Sequence, residues 1–198
     1  VSIAVRRLLQ AHPANLLVST HPLLVAPVLD ELGDRHLMFV TVVTDLASAH
    51  ACWFDRRADL TLVPTRAVRR RALVCGLAPE RVRVCGLPVA EAFCRGASDK
   101  AEARRKLGWA KDQFTVLLLS GAEGMEPLQK IARALSASST NSIQLAVVCG
   151  RNARLHAQLS GLHWPFSTYL YGFVENIAQL MIAADVVVTK AGPSTVME

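Results

Sequence analysis

The chain has 198 residues, 52% of them apolar and 19% charged, with a formal net charge of +6. That composition excludes a disordered polypeptide, and it supplies core enough for one large domain or two small ones. No apolar stretch reaches the ~18–20 residues needed to span a bilayer.

In chain order, a helix is predicted over Ser2–Ala11, a strand over Leu16–Ser19, a helix over Pro22–Leu32 and a strand over Met38–Val43. A strand over Leu60–Val63, a helix over Arg66–Cys75 and a strand over Val82–Val84 follow. From Leu87 to Gln113 the rhythm breaks, with Gly96-Ala97-Ser98 and then a charged helix near Lys100–Leu107. It resumes with strands at Thr115–Ser120, Gln144–Cys149, Thr168–Tyr171 and Asp185–Thr189, and helices at Glu126–Ala137, Ala153–Leu159 and Ile177–Ala184 between them. Near-continuous Val/Leu runs suit strands buried on both faces of a parallel sheet, and strand–helix alternation predicts an α/β doubly wound fold. The boundary is expected near residues 95–110, giving domains 1–98 and 99–198. Val1 is not a Met and Glu198 falls where a helix begins, so both ends read as cut, and no signal peptide pattern opens the chain.

Five cysteines (Cys52, Cys75, Cys85, Cys94 and Cys149) form no CxxC pair. That gives no support to a zinc knuckle or a thioredoxin-like motif, and it fits apolar thiols of a reducing compartment. No metal ligand set is expected. The basic balance suits a nucleotide phosphate, an anionic lipid surface or nucleic acid, and equally an ordinary basic globular protein.

Four strand-to-helix turns carry candidate chemistry. Ser120-Gly121-Ala122-Glu123-Gly124 follows a buried strand and opens a helix, where glycines let backbone approach a ligand. It is neither GxGxxG nor a Walker loop. Thr189-Lys190-Ala191-Gly192-Pro193-Ser194-Thr195 repeats the arrangement, with Pro193 suited to a first helical turn, two hydroxyls and a cation for a diphosphate. Glu198 stands about one turn further on, placed to accept from ribose hydroxyls. Cys149-Gly150-Arg151-Asn152 and Tyr171-Gly172-Phe173-Val174 end two more strands, and in an open parallel sheet all such ends face one crevice. Phe173 is either a core aromatic or the place where backbone reads a uracil edge.

In the first half, Thr20-His21-Pro22 and Thr44-Asp45 through His50 to Trp53-Phe54 also follow strands. His21, Asp45 and His50 are candidates for acceptor-side work, the plainer readings being a capping Asp45 and structural histidines. Trp53 and Phe54 are placed to touch a lipid or sugar face, or else to pack. Arg66, Arg69, Arg70 and Arg71 share one helix, which either meets anionic head groups or is a solvated face. Nothing resembles an RNA module or a recognition helix, so no nucleic acid partner is expected.

Taken together, Val43-Thr44-Asp45-Leu46 with His50 and Trp53-Phe54, Val84-Cys85-Gly86-Leu87-Pro88-Val89 and the four turns resemble, in order and spacing, the monogalactosyldiacylglycerol synthases. They also resemble the related bacterial processive diacylglycerol glucosyltransferases. A wider relation runs to the peptidoglycan glycosyltransferase that makes lipid II. The resemblance implies a GT-B fold of two Rossmann-like domains, both incomplete in this chain, the first binding a lipid acceptor and the second a UDP-sugar. It implies an inverting transfer of galactose, or glucose, from UDP-galactose or UDP-glucose to diacylglycerol, without metal or other cofactor, by a peripheral protein of an anionic membrane. A plastid envelope or the cytoplasmic face of a bacterial inner membrane would serve.

Carried over by position, Gly192, Ser194 and Thr195 contact phosphate, Phe173 the base and Glu198 the ribose. Gly121 and Gly124 line the cleft, and Lys190, Pro193 and Asn152 complete the donor side. His21 and His50 fall on the acceptor side, while the family's base is expected before Val1 and its sugar-gripping motif after Glu198. The isolated fragment is expected to be inactive. Ser-Gly-Ala-Glu-Gly stands where the galactolipid synthases usually carry three glycines, and Ser194 where glycine is frequent, so galactose and glucose both stay open. A polyprenyl-linked acceptor, a non-catalytic UDP-sugar-binding module and, more weakly, a UDP-sugar epimerase are the alternatives.

Overall fold

The computed structural model describes residues 2–35, 37–94, 99–119, 126–137, 143–190 and 192–198. They form two compact units, in the main Val1–Val89 and Ala90–Val196.

The first unit is a four-stranded parallel sheet in sequential order, β1 (Leu16–Ser19), β2 (Met38–Val42), β3 (Leu60–Val63) and β4 (Val82–Val84). Helix α1 (Ser2–Ala11) precedes β1, α2 (Pro22–Leu32) links β1 to β2, and α3 (Arg66–Val74) links β3 to β4. α2 begins where His21 caps and Pro22 occupies the first turn, and it turns Val25, Leu29 and Leu32 inward at helical spacing. α3 starts at Thr65, whose hydroxyl accepts from the Val68 N–H at 3.2 Å. The core joins Val25, Phe39, Val43, Trp53, Val63 and Val68. Between β2 and β3 there is no α-helix, only a single 3-10 turn at Ala51–Trp53. Trp53 is 1% exposed and Phe54 9%, so these aromatics are core residues and are turned away from any lipid or sugar. The indole finds its hydrogen-bond acceptor within the loop, in Asp45, so the whole ring can be buried.

The second unit is also parallel, but its strands lie in the order β7-β6-β5-β8: β5 (Phe114–Leu119), β6 (Ile143–Val148), β7 (Thr168–Tyr171) and β8 (Val186–Thr189). The chain moves outward from β5 through β6 to β7, then returns across β5 to lay down β8. β5 and β6 are buried along nearly their whole length, as continuous Val/Leu runs require. The helices are α4 (Glu91–Cys94), α5 (Lys100–Leu107), α6 (Glu126–Ala137), α7 (Ala153–Ser160), α8 (Ile177–Ala183) and α9 (Pro193–Met197). α5 runs from an Asp99 cap to Gly108, whose φ of 70° stops the helix. Buried Gln144 pins the next turn. Its amide donates to Ala110 O at 2.9 Å and Thr115 Oγ1 at 2.6 Å, and accepts from Ala110 N at 2.9 Å.

Candidate functional site

The reversal of strand order between β5 and β8 marks a topological switch point, and ligands of open α/β sheets bind in the crevice beyond the strand C-termini there. At that place the second unit has a cavity of about 550 Å³. Its apolar wall includes Leu119 from the end of β5, Val148 from the end of β6, and Val174 and Ile177 from the approach to α8. Phe173, Lys190, Ser194, Thr195 and Glu198 also line it, so these five donor-side residues chosen from the sequence meet in one crevice.

Each is delivered by a simple local device. β8 ends at Thr189, which leaves Lys190 exposed at the rim. Gly192 then adopts extended backbone with φ −61°, and Pro193 opens α9. A Cβ at Gly192 would stand 3.9 Å from Lys190 Cε, an ordinary contact, so Gly192 is tied to the site by proximity and not by backbone strain. α9 spans five residues, too short to carry a sizeable macrodipole. The groups here suited to an anion are the hydroxyls of Ser194 and Thr195 and the Lys190 ammonium. Phe173 projects from the turn after β7 and is 55% exposed, unusual for a phenylalanine outside an interface or ligand site.

Two residues of the turn after β6 belong to the crevice although only their neighbour Asn152 was chosen from the sequence as a donor-side residue. Gly150, with φ 61°, makes the left-handed turn after β6 and lines the cavity. Arg151 lays its guanidinium 4.8 Å from the centre of the Phe173 ring, a cation–π contact that holds the aromatic over the opening. The signal for both was the glycine directly after a buried strand. Asn152, the neighbour chosen instead, caps α7: its Oδ1 accepts from the Leu155 N–H at 2.9 Å. Gly121 and Gly124 lie outside the described residues.

β8 is anchored at its root. Asp185 accepts from Lys100 Nζ at 2.6 Å, from Arg104 at 2.5 Å and from the Thr115 N–H at 2.7 Å. Burial alone would push this carboxyl upward. The hydrogen bonds from Lys100, the Thr115 N–H and Arg104 outweigh it and hold the group below its ordinary value. Arg104, 5% exposed, also donates to the carbonyls of Ala183 and Lys111. Cys149, fully buried at the end of β6, has its thiol pushed up by burial to about 11 and is not a nucleophile at neutral pH.

In the first unit His21 and His50 both stand beyond strand ends, and both are caps. His21 Nδ1 accepts from the Leu23 N–H at 3.3 Å, and His50 Nδ1 from the Cys52 N–H at 3.2 Å. A backbone amide can only donate, so each neutral imidazole keeps its proton on Nε2. Both rings are exposed and offer a donor, and while they cap neither has a free lone pair for a general base. Asp45 Oδ2 accepts from Trp53 Nε1 at 2.7 Å, and Thr65 donates to Leu46 O at 2.8 Å, so the loop after β2 is tied at both ends. Among the described residues no group of three or more His, Cys, Asp or Glu is placed to hold a metal ion. Among the described residues the cation lining the crevice is Lys190, with Arg151 stacked on Phe173 beside it.

Comparison with known proteins bears on both units. Residues 2–89 match the family model of monogalactosyldiacylglycerol (MGDG) synthase, and residues 115–198 that of the glycosyltransferase family 28 C-terminal domain. The chain is 38% identical over 204 residues to the chloroplastic monogalactosyldiacylglycerol synthase of Spinacia oleracea, covering 98% of this chain and 39% of the relative. With the chloroplastic monogalactosyldiacylglycerol synthase 1 of Arabidopsis thaliana it shares 34% identity over 200 residues, covering 96% and 38%. The chain thus spans about two-fifths of the length of these relatives. Among solved structures, Acinetobacter baumannii MurG superposes with a TM-score of 0.64 at 14% identity, covering 98% of this chain and 52% of that one. Anabaena HepE in complex with UDP-glucose does so with a TM-score of 0.59 at 20% identity, covering 92% and 55%. At such identities the likeness is one of fold, and the fold is that of the GT-B glycosyltransferases.

Proposed function

Because the chain belongs to the monogalactosyldiacylglycerol synthase family, we propose that the protein transfers galactose from UDP-galactose to diacylglycerol with inversion, making a membrane glycolipid. UDP-glucose is the second donor to test. The observation that carries this function is the convergence of Phe173, Lys190, Ser194, Thr195 and Glu198 on one crevice at the strand-order reversal.

In this proposal the uracil lies against Phe173, held in place by Arg151, and Glu198 accepts from the ribose hydroxyls. The diphosphate meets Lys190, Ser194 and Thr195, with Gly192 and Pro193 shaping the backbone around it. Negative charge builds on the diphosphate as the sugar leaves, and a positioned ammonium with two hydroxyls favours that state over the ground state. In this proposal Lys190 and the two hydroxyls supply the charge stabilisation that a divalent cation would otherwise give, and the transfer needs neither metal nor cofactor. A base must take the proton of the acceptor hydroxyl, and with His21, His50 and Asp45 all bonded to the fold, we assign that base elsewhere. The acceptor is a lipid, and among the described residues no helix is long and apolar enough to cross a membrane. We therefore propose a peripheral protein. Its chloroplastic relatives support a plastid envelope, the cytoplasmic face of a bacterial inner membrane is the other location, and no nucleic acid takes part.

The test is transfer of radiolabel from UDP-galactose and UDP-glucose to diacylglycerol in mixed micelles by the full-length protein. Glycolipid from one donor names the sugar. No product with either, while UDP still binds, refutes the diacylglycerol acceptor and favours a polyprenyl-linked one or a non-catalytic module. Undiminished transfer in excess chelator is the expected sign of a metal-independent reaction.

A further inference from the structure

From Leu60 to Pro79 the sequence contains no acidic residue, while Arg66, Arg69, Arg70 and Arg71 all fall within nine-residue α3. Val68 and Ala72, both 0% exposed, set the rotation of this helix against the sheet. Arg66, Arg70 and Arg71 consequently face outward, and Val74, 78% exposed, ends the same stripe at spacing i, i+4 from Arg70. At the C-terminal turn, Gly76 (φ 88°) leaves room for the Arg56 guanidinium, which occupies the space any side chain there would need. Two other arginines of this unit find carboxylates: Arg6 pairs with Glu31, and Arg57 with Asp55 and Asp30. Among the described residues Arg56, Arg66, Arg70 and Arg71 have no acidic partner. A solvated helix face ordinarily mixes both signs, because like charges one turn apart destabilise a helix. This face keeps the repulsion and leaves it unanswered within the fold.

We propose that the outward face of α3, with Arg56 at its end, docks on the anionic surface of a lipid bilayer. A sheet of phosphate-bearing head groups matches a single-sign arginine face, and exposed Val74 suits the interfacial zone just beneath them. A nucleic acid fits less well, since the stripe carries no aromatic side chain for base stacking. The inference rests on the proposed function only in that the acceptor is a membrane lipid.

The experiment is flotation of the full-length protein with vesicles of phosphatidylcholine alone, or of phosphatidylcholine mixed with phosphatidylglycerol. The wild type is expected to float with the mixed vesicles, less so as salt rises. The triple variant Arg66→Gln/Arg70→Gln/Arg71→Gln is expected to lose about fivefold in partitioning per arginine, on the order of a hundredfold in all. A control triple in the second unit, Arg105→Gln/Lys106→Gln/Arg154→Gln, makes the same change in net charge and is expected to lose far less. Equal losses in both triples, or none in the α3 triple, overturn the proposal. So does retained flotation with lost retention on RNA, which would assign the face to nucleic acid. Val74→Asp, a single change outside the core, is a second probe and is expected to weaken flotation without lowering the melting temperature. Transfer in nonionic micelles is expected to be the same in wild type and α3 triple. A protein that floats as described but transfers no sugar refutes the function and leaves the docking face standing.

Discussion

Replacing Asp185 by Ala removes the common acceptor of Lys100, Arg104 and the Thr115 N–H at the root of β8. Arg104, whose side chain is 7% exposed, keeps two carbonyl partners but loses its counter-charge. Stranding one member of a buried pair costs about 3–5 kcal/mol. The Asp185 side chain is 24% exposed and that of Lys100 45%, so water screens part of this and the lower end applies. The buried Thr115 N–H, left without an acceptor, adds about 1 kcal/mol. The expected loss is therefore about 4 kcal/mol, and about 2 kcal/mol for Asp185→Asn, which still offers an oxygen to Thr115. Urea unfolding followed through amide signals of the second unit reads both values, and Asp185→Val/Arg104→Met should recover most of the loss. An Asp185→Ala protein within about 0.5 kcal/mol of wild type, or a double variant that is simply additive, would refute the reasoning. The pH dependence has a definite sign. The folded carboxyl lies below its ordinary 3.8, so its contribution is complete above that pH and fades as pH falls through the lower folded value. The Asn variant should show a flatter acid limb.

Lys190→Ala and Glu198→Ala are each expected to weaken UDP binding by roughly tenfold or more, since a hydrogen bond to a charged group contributes about 1.5–3 kcal/mol. Unchanged affinity by calorimetry in both would remove the donor-site assignment. At His50 the cap and the outward donor separate: Asn keeps an acceptor for the Cys52 N–H but has no group at the position of Nε2. If Nε2–H contacts the acceptor, His50→Asn should melt like wild type yet transfer more slowly, and equal activity would reduce His50 to a cap. Cys149 should stay silent to a thiol reagent at pH 8 while exposed Cys52, Cys85 and Cys94 react, and all five should react in denaturant. Thr41 and Thr61, opposed in register across β2 and β3, bury hydroxyls for which the described residues supply no partner. Thr41→Val/Thr61→Val should raise the unfolding free energy measured in urea by about 1 kcal/mol or more, and a lowered value would mean that those hydroxyls are bonded.

Strands were legible because Phe114–Leu119 and Ile143–Val148 are apolar runs of a length and composition that only a doubly covered sheet absorbs. The crevice was legible for a similar reason: a glycine, a proline or a hydroxyl directly after such a run declares a turn at the sheet's carboxyl edge. Less visible was the direction of a side chain within a loop. Trp53 and Phe54 read equally as contact or core, and Asp45, eight residues before the indole, decides between them only once the loop is closed in space. The caps at His21 and His50 escaped notice because an imidazole imitates the Asn or Asp usually found there. Arg151 escaped because its partner, Phe173, lies a whole helix and strand away.

The loop between β2 and β3 repays its unusual construction. With the Asp45–Trp53 hydrogen bond across its mouth and Thr65 holding Leu46, residues 46–52 are enclosed by the fold before any ligand arrives. Ordering a free backbone costs about 1–2 kcal/mol per residue, so a slack loop of this length would lose several powers of ten in affinity to that ordering alone. Here the loss is borne during folding by a buried indole. What the exposed rim of Ala47, Ser48 and His50 meets is met by a surface already rigid.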